Sequence, residues 1–170
     1  MPETRLIAID PSLRCSGYAL LASDGRRHRA LDYGVIRNVA SLRPSGCLMA
    51  IHDRVRELLT QWQPTAMAIE SVIYVQSHKT AISLGAARGC AILAAAQAGL
   101  PIHEYPPTRV KQAVVGNGAA QKSQVAFMVR ALLQLTETPS PDAADALAIG
   151  LTHLQTAATA VRRPLPHESL

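Results

Sequence analysis

The chain has 170 residues, 48% of them hydrophobic, which suits one domain with a sizeable core and excludes a largely disordered protein. Lys and Arg outnumber Asp and Glu by 17 to 12, a net charge of +5 that suits a polyanionic partner without naming one. No apolar stretch reaches the roughly 20 residues that a bilayer requires, and Met1 to Arg5 lacks a secretory pattern, so a cytoplasmic protein with no membrane partner is expected.

Leu6 to Asp10 reads as a buried strand, and Gly17 to Ala22 as its antiparallel partner after a turn at Pro11-Ser12. Asp24-Gly25 marks the next turn, and His28 to Arg37 completes a three-stranded meander. From Leu42 to Gln63 the apolar positions Leu48, Ile51, Val55, Leu58, Leu59 and Trp62 recur at helical spacing, and Pro64 is expected to close that helix. Thr65 to Glu70 is a fourth strand, followed by a loop through Tyr74 and a small-residue helix from about Lys79 to Ala98. Ile102 to Tyr105 reads as a short fifth strand. Two helices follow, near Thr108 to Val115 and Ala120 to Leu135, and Ser140-Pro141 opens a last helix with a suitable N-cap and first-turn residue. Residues 1–157 are expected to form the domain, and residues 158–170 a polar tail. The order predicts an α/β fold: a five-stranded mixed sheet, an antiparallel meander plus parallel strands, flanked by helices. The first and fourth strands should be parallel neighbours.

Cys15, Cys47 and Cys90 are odd in number and widely spaced, without a Cys-x-x-Cys pair, so they read as buried reduced thiols rather than a zinc or disulfide framework. The acids are more telling. Only 12 exist, yet Asp10 and Glu70 each terminate an apolar strand, and Asp142 and Asp145 lie one helical turn apart. Singly, each has a bland explanation. Asp10 before Pro11 suits a turn, and Asp142 suits the positive end of a helix. Glu70 resists one, because Glu fits poorly after Ala66-Met67-Ala68-Ile69. Together they describe a carboxylate cluster at the edge of a sheet, and buried carboxylates call for a cation. Hard divalent ions take such oxygen ligands, and a pair of them can clamp both oxygens of a phosphodiester displacement.

The surrounding motifs extend this. Ala8-Ile9-Asp10-Pro11 with Gly17-Tyr18, Ala68-Ile69-Glu70 and Leu84-Gly85-Ala86-Ala87-Arg88-Gly89 come first. Val110-Lys111-Gln112, Val114-Val115-Gly116, Lys122-Ser123-Gln124-Val125 and Asp142-Ala143-Ala144-Asp145-Ala146-Leu147-Ala148 follow in order. On these the chain resembles, from Ile7 to about Leu154, the RuvC family of Holliday junction resolvases within the RNase H-like superfamily.

The resemblance implies that Asp10, Glu70, Asp142 and Asp145 are the catalytic and metal-binding carboxylates. It implies two Mg²⁺ ions per active site, with Mn²⁺ as a substitute. The substrate would be a four-way DNA junction, nicked symmetrically in two opposed strands during recombination and repair. A homodimer is implied, working with a branch-migration helicase complex of the RuvA and RuvB type. Lys111 and Lys122 match basic positions beside the scissile strand, and Arg88 matches a position assigned to DNA binding. The helix around Ala81, Gly85 and Gly89 could pack on a second subunit or on its own sheet.

Two positions depart from the family pattern. Ser12 replaces the usual Gly after Asp-Pro. Ile73, followed by Tyr74, stands where the family carries a Phe that wedges junction bases, so either residue is a candidate for that role. His153, eight residues after Asp145, reads as structural. Among rivals, Asp10-Pro11-Ser12 with Gly17 is similar to the phosphate loop of actin-like kinases and ATPases, but the chain is too short for two such domains. A non-catalytic junction-binding protein would lack a carboxylate, and none is missing. An RNase H-like nuclease acting on another branched or hybrid substrate is the remaining alternative.

Overall fold

The computed structural model describes residues 3–72 and 77–162, apart from the side chains of residues 159–162. Its elements run β1 (Thr4–Asp10), β2 (Cys15–Ser23), β3 (His28–Arg37), α1 (Pro44–Trp62), β4 (Ala66–Glu70), α2 (His78–Gln97), β5 (Ile102–Tyr105), α3 (Pro107–Val115), α4 (Lys122–Leu133) and α5 (Pro141–Arg162). The sheet order is β3-β2-β1-β4-β5. β1 pairs antiparallel with β2 and parallel with β4, and β4 pairs parallel with β5, as the meander and crossovers predict.

The β2–β3 turn is set locally. Asp24 Oδ1 accepts the amides of Arg26 and Arg27 at 2.8 and 2.7 Å, and Gly25 takes φ 88°. Helix ends are likewise local. α1 stops because Gln63 turns left-handed, its amide donating to the Leu59 carbonyl, so the helix ends at Trp62, two residues before Pro64. α4 begins at Lys122 rather than Ala120, with the Gln121 amide donating to Gln124 Oε1 at 2.8 Å. α5 continues to Arg162, past residue 157, and residues 163–170 lie outside the description.

Strand alternation sorts the core into two layers. Ile7, Ile9, Leu20, Met67 and Ile69 point to one face, where they pack with Ile51, Val55 and Leu58 of α1 and Ala87, Ala91 and Ala95 of α2. Leu6, Ala8, Ala19, Leu21, Ala66 and Ala68 point to the other, against α3, α4 and α5. α5 sits low on the sheet because it presents Ala143, Ala144, Ala146, Ala148 and Gly150; a Cβ at Gly150 would collide with Leu21. Among the described residues, no helix is long and apolar enough to cross a membrane.

Candidate active site

The sheet register places the two strand-end acids side by side. The parallel β1–β4 ladder ends with Ile9 opposite Ile69, and Asp10 and Glu70 are the next residues on each strand. By alternation both continue the Leu6–Ala8 and Ala66–Ala68 rows, so they face the layer that contains α5. The first turns of α5 then carry Asp142 and Asp145 to the same strand ends. Gly17, paired with Asp10 across the β1–β2 ladder, makes room for this, since a Cβ there would collide with the Asp142 carbonyl oxygen. The four acids predicted from the sequence thus come together. An open cleft beside them is lined by Asp10, Pro11, Glu70, Ser71, Val72, Leu84, Pro107 and Thr108.

Their electrostatics follow from that crowding. Burial, then the neighbouring Glu70 and Asp145, push the Asp10 carboxyl up to about 7. Burial and Asp145 also raise Glu70, while Lys122 and Lys111 act in the opposite direction. Lys122 is the cation in direct contact, its Nζ donating to Asp145 Oδ2 at 2.8 Å, and that bond raises the ammonium's own pKa. Asp142 Oδ2 accepts from the Cys15 thiol at 3.0 Å, a neighbour that no spacing in the sequence foretells. Among the described residues, no three acidic, His or Cys side chains are drawn tightly enough to chelate an ion as they stand. The acids nonetheless repel one another, and a counter-ion would relieve that repulsion.

The remaining predicted residues divide. Lys111 on α3 is half-buried and its charge reaches Glu70. Arg88 is turned onto the protein. Its guanidinium pairs with Glu104 at 2.6 Å and donates to the Glu70 carbonyl at 3.4 Å, which braces the end of β4. Ile73 and Tyr74 lie outside the described residues. His153 packs as expected of a structural residue, sharing a 2.9 Å hydrogen bond with the Tyr105 hydroxyl and a 4.5 Å ring contact with His103. Burial and His103 lower its pKa to about 4, so it stays neutral at working pH.

Fold and cleft together define an RNase H-like resolvase. Residues 6–153 match the family described as Crossover junction endodeoxyribonuclease RuvC, and the chain belongs to that family. It is 60% identical over 150 residues to the RuvC of Akkermansia muciniphila, covering 88% of this chain and 90% of that protein. Identity to the RuvC of Halothermothrix orenii is 45% over 149 residues, covering 87% and 90%. Among solved structures, RuvC of Thermus thermophilus in complex with a Holliday junction substrate superposes with TM-score 0.87 at 37% identity, covering 92% of this chain and 96% of that one. The yeast mitochondrial resolvase Ydc2, at 14% identity and TM-score 0.64, shares the fold. Members of this family are typically metal-dependent.

Proposed function

We propose that the protein resolves four-way DNA junctions in recombination and repair by symmetric, metal-dependent nicking of two opposed strands, with Asp10, Glu70, Asp142 and Asp145 as its catalytic acids. The observation that carries this reading is the convergence of two strand-end acids and one helical pair at the same strand ends, with Asp10 and Glu70 lining an open cleft. The donor set fits a hard cation. All four groups are carboxylates, and burial with mutual repulsion already drives Asp10 up to about 7. Two Mg²⁺ ions, or Mn²⁺ in their place, would be held by these acids, supplying Lewis-acid charge and a more acidic bound water.

The chain's own residues define the rest. Asp10 must ionise to serve as a ligand, so ion binding releases a proton from it. Lys122 holds Asp145 through one of its three ammonium donors, leaving the others for a phosphate oxygen. Lys111, whose field reaches Glu70 from α3, adds positive charge on the same side. Val72 and Leu84 give the cleft an apolar wall. Ile73 or Tyr74, next along the chain, would insert against a base step at the junction centre.

A homodimer suits a substrate with near two-fold symmetry. The outer face of α2 supports it. Ile82 is 74% exposed and Leu93 51%, while Gly85 and Gly89 open onto free space. The buried alanines of α2 already serve the core, so its small residues divide between two surfaces. A cytoplasmic protein working with a RuvA- and RuvB-type helicase complex, built as a domain that extends through α5 to Arg162 with a short polar tail after it, completes the proposal.

Selectivity is the test. Incubated with Mg²⁺, an immobile four-way junction should be nicked far faster than a linear duplex or an RNA–DNA hybrid of the same sequence. Equal cutting of the linear duplex would overturn junction selectivity. Preference for the hybrid would reassign the substrate.

A further inference from the structure

Cys15 opens β2 beyond Gly17, and alternation puts both on the strand face that lies under α5. Gly17 pairs with Asp10 and abuts the Asp142 backbone, so this end of β2 is pressed directly against the start of α5. There the Cys15 thiol donates to Asp142 Oδ2 at 3.0 Å, and Asp142 Oδ1 has no partner among the described residues. We infer that Cys15 is a positioning residue, whose thiol holds one Asp142 oxygen and so fixes the carboxylate's rotamer, presenting the other oxygen to the catalytic ion. The inference rests on the reading of Asp142 as an ion ligand given above.

The chemistry favours this assignment over a merely buried thiol. A thiol offers an S–H donor, and the carboxylate oxygen 3.0 Å away is acceptor-only, so the pair is matched in direction. Partners of this kind, one bond removed from a metal, orient its ligands and sharpen affinity. The other two cysteines do not share the role. Cys47 is buried beside the Leu42 carbonyl, and Cys90 lies on α2 in the opposite layer.

Calorimetric titration of the full chain with Mn²⁺, in the absence of DNA, tests the proposal in Cys15→Ala, Cys15→Ser and Asp142→Asn. Cys15→Ala should weaken Mn²⁺ binding about 10-fold, the low end for such outer partners because S–H is a weak donor. Cys15→Ser, which restores a donor, should recover most of that loss, and the metal-free melting temperatures of the two Cys15 variants should match. Unchanged affinity in Cys15→Ala beside weakened binding in Asp142→Asn overturns the inference alone. So does failure of serine to rescue. Unchanged affinity in both variants would remove Asp142 from the ion site and overturn the assignment on which the inference stands.

Discussion

Gly17 and Asp142 meet backbone to backbone, although 125 residues separate them in sequence, and the meeting is possible because position 17 carries no side chain. The same glycine pairs with Asp10 across the sheet. One missing methyl group therefore sets the spacing between the first strand's acid and the last helix's acids.

Gly17→Ala should push the start of α5 outward. Overpacking of this kind costs about 1–3 kcal/mol, so the variant should fold with a lowered melting temperature. Junction cleavage should fall by more than that loss of stability explains, because the displaced segment carries two of the four acids. A variant that melts lower yet cuts at the wild-type rate would dissociate Gly17 from the site.

The crowded acids make the metal-free protein sensitive to pH. The Asp10 carboxyl lies at about 7 in the fold against an ordinary value of 3.8. Between those values the folded state binds more protons than the unfolded state, so stability falls as pH rises towards 7 and levels off above it. Asp10→Asn removes this penalty. Its melting temperature without metal should exceed that of the wild type by a margin that grows from pH 4 to pH 7 and then stays constant. A margin independent of pH would show that Asp10 ionises freely in the fold.

Lys122 offers a contrast between stability and rate. Its side chain is 78% exposed, so the ion pair with Asp145 contributes little to folding, within about 1 kcal/mol. Its charge at the scissile phosphate counts for more. Lys122→Ala should melt close to the wild type while single-turnover cleavage at saturating protein drops about 10- to 100-fold. Unchanged cleavage would confine Lys122 to a surface role.

Much of this was legible in the sequence because it is written locally. A meander followed by crossovers leaves few sheet orders, and the observed order is the expected one. Asp10 and Glu70 stood out because each ends a buried strand, and Asp142 and Asp145 because one helical turn separates them. What escaped is non-local. The Cys15–Asp142 bond spans 127 residues and leaves no periodic trace. Arg88 on α2 reaches both Glu104 and the Glu70 carbonyl because β4 and β5 lie side by side, a brace that no spacing in the sequence foretells. Helix ends shifted by a residue or two where a left-handed Gln63 and the Gln121–Gln124 bond, rather than Pro64 or an apolar pattern, made the stop and the start.

Mapping the nicks on all four strands of a labelled immobile junction addresses the catalytic assignment directly, with wild type beside Asp10→Asn and Glu70→Gln at matched junction binding. The wild type should give paired, symmetric nicks on two opposed strands that a ligase reseals, and each variant should lose at least about 100-fold in rate while still binding the junction. Symmetric nicking at the wild-type rate by either variant would contradict the four-carboxylate site.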